Sequence, residues 1–275
     1  MQLRDLILIV DDGAADDAIV NGALATASRH DAHLAIVVIS VTPIPGYTFP
    51  VFPLATTIEE MRDRADAKVR RIEAAATRAG VPAEVRIVSD RVQDLLDKAP
   101  VQTRYADLVM FGPASTWEDD WMRRRVAENV LLRSGRPLLF LPRSGAVPSF
   151  ERAVIGWNAS DEAARALHAA MPFLRDRAEV IVAVINASAS RDSHGSEPGV
   201  ALARHLTRHG LRVTVDCSSV YAGGEADALR DLAIARGADL LILGAYARSR
   251  IRELLLGGVT HTLMTEPALP TLMMH

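Results

Sequence analysis

The chain has 275 residues, with 31 Lys and Arg against 34 Asp and Glu for a net charge of -3, and one cysteine. That length suits two domains, each able to bury a core, and the near balance of charge gives no electrostatic ground for nucleic acid or an anionic membrane as the main partner. The single Cys217 excludes an internal disulfide framework and fits a reducing compartment.

The start, Met1-Gln2-Leu3-Arg4-Asp5, lacks the basic, apolar and small-residue succession of a secretion signal. Apolar runs such as Leu6 to Val10 and Leu138 to Leu141 are far shorter than the roughly 20 residues of a membrane span. A soluble, cytoplasmic protein is expected.

In chain order, short apolar runs alternate with helical periodicity, the pattern of a parallel sheet covered by helices on both faces. Leu6 to Val10 reads as a buried strand, followed by a helix with Ile19, Val20, Ala23, Leu24 and Ala27 inward. Leu34 to Val41 is the next strand, and a loop with Pro43, Pro45, Pro50 and Pro53 leads to a helix carrying Met61, Ala65, Val69, Ile72 and Ala76 on one side. Gly80 and Pro82 stop that helix. Strand Ala83 to Val88, helix Val92 to Thr103, strand Asp107 to Phe111, helix Met122 to Arg133 and strand Pro137 to Leu141 complete the first half.

The second half repeats the order. Strand Ala153 to Trp157, helix Asp161 to Leu174, strand Val180 to Ile185, helix Gly199 to His209, strand Arg212 to Cys217 and helix Glu225 to Arg236 are followed by strand Asp239 to Leu243. A loop, a helix around Val259 to Thr265 and strand Thr271 to Met274 close the set. Pro142 to Phe150 has linker composition. The expected domains are therefore 1–145 and 146–275, each α/β and doubly wound around a five-stranded, mainly parallel sheet.

Two segments show the duplication directly. Ala106-Asp107-Leu108-Val109-Met110-Phe111-Gly112 returns as Ala238-Asp239-Leu240-Leu241-Ile242-Leu243-Gly244. After Gly244 the chain reads Ala-Tyr-Ala-Arg-Ser-Arg-Ile-Arg-Glu-Leu-Leu-Leu and then Gly257-Gly258 before a helix. A strand ending in Gly, a loop, and glycines opening a helix form a geometry in which backbone N–H groups can converge on phosphate.

This arrangement resembles the universal stress protein family, whose ATP-binding members carry G-x-x-G, nine residues, then Gly followed by Ser or Thr. Gly244 and Gly257 match the first and third glycines with the full spacing. Asp12-Gly13 and Trp157-Asn158-Ala159-Ser160 are similar to the family's Asp-Gly-Ser turn, and Ala163 to Ala166, Leu269 to His275 and Arg136 to Leu139 resemble its tandem two-domain members. The resemblance implies a Rossmann-like fold in each half, the halves packed as an intramolecular pseudo-dimer with a homodimer as a further option. It also implies a stress-response role, ATP with Mg in the second half, and a protein partner whose identity is open.

The implied nucleotide site comprises Asn158, Gly244, Ala247, Arg248, Ser249, Gly257, Gly258, Val259 and Thr260. Ala247 replaces the second motif glycine, and Gly258 replaces the hydroxyl residue, for which Thr260 or Ser249 is a substitute. Asn158 keeps an acceptor for a ribose hydroxyl without the charge of Asp. Because of these departures a non-nucleotide-binding interaction scaffold and a slow ATPase stand as alternatives.

The first half has no such cradle, since Arg124 and Arg125 fall where Gly257 and Gly258 do. There Thr116 with Asp119 reads as a capping box, Trp117 and Trp121 as helical packing residues, and Arg123 to Arg125 as a solvated helix face. His205 and His209, one turn apart, are expected to face solvent rather than hold a metal, and Cys217 is expected to be a buried, inert thiol. No Walker loop, dinucleotide fingerprint, nucleophile elbow or zincin motif is present, so no catalytic residue is assigned.

Overall fold

A computed structural model describes residues 3–42, 58–187, 197–221, 224–245 and 258–275. The chain forms two compact units, Leu3–Ala146 and Val147–His275. No helix among the described residues is long and apolar enough to cross a membrane.

In the first unit the elements are β1 (Asp5–Asp11), α1 (Asp17–His30), β2 (His33–Val41), α2 (Ile58–Ala79), β3 (Ala83–Asp90), α3 (Val92–Gln102), β4 (Leu108–Phe111), α4 (Asp120–Arg133) and β5 (Leu138–Phe140). The strands run parallel in the order β3-β2-β1-β4-β5. The central strands β1, β2 and β4 are apolar and almost wholly buried, as a sheet covered on both faces requires. β3, at the edge, carries Glu84 and Arg86 and alternates between exposed and half-buried positions, so its open backbone is flanked by charge.

The second unit repeats this with β6 (Arg152–Gly156), α5 (Asp161–Ala170), β7 (Glu179–Ile185), α6 (Val200–Arg208), β8 (Arg212–Ser218), α7 (Glu225–Ala235), β9 (Leu240–Gly244), α8 (Val259–Thr265) and β10 (Thr271–Met274). Its parallel order is β8-β7-β6-β9-β10.

The duplicated Asp has the same task in both units. The Asp107 carboxylate accepts the N–H of Arg4 at 2.7 Å and of Asp5 at 3.1 Å, and Asp239 accepts the N–H of Glu151 at 3.1 Å and the Ser149 hydroxyl. Each anchors the backbone at the start of the unit's first strand, which pairs with the strand the Asp precedes. Cys217, expected to be buried, is exposed instead. It lies on β8, an edge strand with one sheet neighbour and an exposed end, so strand placement by itself does not cover it.

Candidate functional site

In both units strand order reverses beside the first strand: β1 to β3 extend to one side and β4 and β5 to the other, and likewise for β6 to β8 against β9 and β10. The carboxyl ends of β6 and β9 therefore flank a topological switch point, where open α/β sheets form a crevice. Gly156 at the end of β6 pairs with Leu243, one residue before Gly244.

The turn leaving β6 is held by local hydrogen bonds. The Asn158 side-chain oxygen accepts the Ser160 N–H at 3.2 Å, and the Ser160 hydroxyl oxygen accepts the Ala163 N–H at 3.1 Å as the N-cap of α5. Ala159 takes φ +56°, a left-handed conformation that costs a residue with a Cβ on the order of 1 kcal/mol.

Gly244 is enforced by packing. A Cβ there would lie 2.3 Å from the Ala163 nitrogen and 2.6 Å from the Glu162 carbonyl carbon, both backbone atoms of the first turn of α5. The glycine thus lets α5 close onto the end of β9, drawing Gly244 and the Asn158 turn to one place. The Ala245 carbonyl, next along the chain, is 2.9 Å from Nδ1 of His275. Gly258 is the N-cap of α8 without a side-chain hydrogen bond, Val259 begins that helix, and Thr260 is buried. Ala247, Arg248, Ser249 and Gly257 lie outside the described residues.

The corresponding end of the first unit is filled by its own side chains. Asp11, 8% exposed, accepts the N–H of Gly13 at 3.1 Å with one carboxylate oxygen and the N–H of Glu118 at 2.7 Å with the other. Asp12 accepts the Ser40 hydroxyl at 2.8 Å and an Arg64 N–H at 2.7 Å, and the same Arg64 nitrogen reaches Glu118 at 2.7 Å. Lys68 pairs with Asp16 at 2.5 Å and donates to the Gly13 carbonyl at 2.7 Å, while Arg71 reaches Asp16 at 2.9 Å. An internal carboxylate, Asp11, thus takes the backbone N–H groups at this strand end.

Three expectations for the first unit need correction. Asp119 itself caps α4, accepting from the N–H of Trp121 and Met122, while the Thr116 hydroxyl donates to the Pro113 carbonyl; the two do not form a capping box. Trp117 is buried ahead of α4 and Trp121 is exposed on it, so they do not share a helical face. Arg123 is 1% exposed, not solvated: its Nε donates to the Gly112 carbonyl at 2.9 Å and its guanidinium lies over the Phe140 ring.

The cluster Arg64, Lys68, Arg71 has a weak signature in the sequence. Its signal is the i, i+4, i+7 spacing beside the apolar stripe of α2, which puts three cations on one face. Nothing local says whether such a face meets solvent or carboxylates. In the second unit His205 and His209 have ring centroids 4.7 Å apart, and His168 of α5 lies 6.0 Å from His205. Among the described residues no group of three His, Cys, Asp or Glu is disposed to hold a metal.

Burial pushes the Asp11 carboxyl up to about 6, against the lowering effect of the Glu118 and Gly13 N–H groups and of Lys68. A carboxyl that holds its proton more tightly folded than unfolded makes the folded state take up a proton as pH falls through 6. The ionised form is a burden above that pH, and the burden vanishes towards pH 4. The unfolding free energy of the natural protein minus that of Asp11→Asn should rise by up to about 3 kcal/mol between pH 7.5 and pH 4. Urea titrations followed by tryptophan fluorescence measure this, and a flat difference would contradict it.

Residues 149–275 match the model of the universal stress protein family. The second half of the chain is thus similar to that family. A universal stress protein from Archaeoglobus fulgidus superposes with a TM-score of 0.69 at 14% identity, covering 98% of this chain and 95% of its own. A functionally unknown protein from Pseudomonas aeruginosa covers 99% of this chain and 92% of its own at a TM-score of 0.53 and 12% identity. A putative universal stress protein from the same organism covers 99% and 93% at a TM-score of 0.52 and 12% identity. At these identities the likeness is one of fold, and it extends over both halves of the chain. No curated protein matches the sequence.

Proposed function

We propose that this chain is a universal stress protein, a regulatory module that binds an adenine nucleotide, ATP with magnesium, in its second unit and does not turn it over rapidly. The observation that carries the proposal is the switch point between β6 and β9. There the Asn158 turn and Gly244 leave adjacent strands at the same end, and the chain after Gly244 keeps the family's glycine spacing to Gly257. Asn158 is the ribose acceptor in this reading, and Gly258 and Val259 open the helix towards the phosphates. The first unit serves as a partner without nucleotide, its strand end being filled by Asp11, Arg64 and Glu118.

Adding Mg-ATP to the full chain should raise its melting temperature, since a ligand selective for the folded state stabilises it by about 2.7 kcal/mol at a hundredfold excess over Kd. Ala247→Gly, restoring the motif, should enlarge the shift and Asn158→Ala should reduce it. One observation favours a second reading, an interaction scaffold without nucleotide: Gly244 has a full packing reason that needs no ligand. No shift at millimolar Mg-ATP in either the natural protein or Ala247→Gly would select the scaffold.

A further inference from the structure

At the opposite, amino-terminal edge of the second unit's sheet, a cleft of 470 Å³ is lined by the arginines 152, 212 and 236, by Glu179, and by apolar strand residues including Ile181 and Val213. The charged residues converge because of register. Arg152 begins β6, Glu179 begins β7 and Arg212 begins β8, and they are paired directly across the sheet. Glu179 lies between the two arginines, 2.7 Å from Arg152 and 3.2 Å from Arg212. Arg236 follows α7 and is held by Asp216 at 2.9 Å.

We infer that this cleft is a binding site for a small organic anion, a carboxylate or phosphomonoester on an apolar body. Three guanidiniums against Glu179 and the Asp216 that holds Arg236 leave an excess of one positive charge. Arg152 and Arg212 nevertheless remain 44% and 67% exposed at the side chain, so their outer N–H groups are within reach of a ligand. The arginines are also oriented by the protein: Arg152 donates to the Arg236 carbonyl at 3.2 Å and Arg212 donates through Nε to the Arg177 carbonyl at 3.1 Å. The first of these bonds covers a carbonyl at the end of α7 that would repel an anion.

The fold does not demand this charge pattern. In the first unit the corresponding strand ends carry acids in place of the arginines, with His33 lying 3.8 Å from Asp5 and from Glu84, the second residue of β3. The apolar strand residues then suit the body of the ligand. Glu179 is the internal competitor for the guanidiniums.

Calorimetric titration of the full chain with phenyl phosphate and, separately, with benzoate at constant ionic strength tests the site. Binding of at least one probe is expected, at least fivefold weaker in Arg212→Gln and in Arg152→Gln, and at least fivefold tighter in Glu179→Gln, which frees both arginines. The arm that binds more tightly identifies the anionic group. No heat with either probe at 10 mM, equal affinity in Arg212→Gln, or weaker binding in Glu179→Gln would overturn the inference. Arg212 is exposed on an edge strand, so its variant retains the fold.

Discussion

Lys68→Met is expected to destabilise the first unit by about 3 to 5 kcal/mol, the usual cost of removing one partner from a buried ion pair. The Lys68 and Asp16 side chains are only 1% and 2% exposed, and their 2.5 Å contact joins α2 to the start of α1. Methionine has a comparable volume and keeps the stem packing, so the loss isolates the charge. Asp16 would retain Arg71 at 2.9 Å, and the Gly13 carbonyl a longer contact with Arg71 at 3.3 Å, which places the effect towards the lower end of that range.

Adding Asp16→Asn to Lys68→Met should recover a large share of the loss, because the carboxylate left unpaired is what is costly. Urea midpoints read by the fluorescence of Trp117 and Trp121, both in the first unit, measure each variant. A single-variant loss below about 1 kcal/mol, the level of an exposed pair, would show that the contact is not a buried one.

Gly244→Ala should cost the second unit about 1 to 3 kcal/mol or more, as overpacking does when the obstacle cannot turn away. The new Cβ would meet three consecutive backbone atoms of α5, the farthest at 2.8 Å, so the whole first turn of the helix has to lift. Gly112→Ala is the matched control. Its Cβ would face the side chains of Thr116 at 2.5 Å and Ile19 at 3.0 Å, which have rotamers to use, and a smaller cost is expected. Thermal unfolding of both variants without nucleotide gives the comparison, and equal losses would argue against the helix-lifting account. Loss of a nucleotide response in Gly244→Ala is then no proof of a ligand contact, whereas in Asn158→Ala, an exposed position whose side chain accepts the Ser160 N–H, it is informative when the melting temperature without nucleotide is unchanged.

Much of the architecture was legible because it depends on local pattern. Apolar runs of strand length alternating with amphipathic helices specify a parallel sheet, and the Ala-Asp-Leu repeat marks two copies of it. The Asn158 turn could also be read, since its hydrogen bonds join residues two and three apart. Arg123 could not be. Its burial comes from the Gly112 carbonyl eleven residues earlier and the Phe140 ring on another strand, and the charged neighbours Arg124 and Arg125 suggest solvent. The exposure of Cys217 is equally hidden, because an apolar strand pattern does not say which strand lies at the edge.

The sequence by itself determined that the chain holds two copies of one α/β plan, and that only the second retains a glycine-spaced loop. Tertiary structure alone decided what stands at the end of each first strand. In the first unit Asp11, Arg64, Lys68 and Glu118 meet across separations of 52 to 107 residues. In the second, Gly244 admits α5, and the reversal of strand order brings the ends of β6 and β9 side by side. The physical reason is range: periodicity and turn chemistry act over a few residues, whereas burial and charge pairing at a strand end depend on which distant elements the sheet brings together.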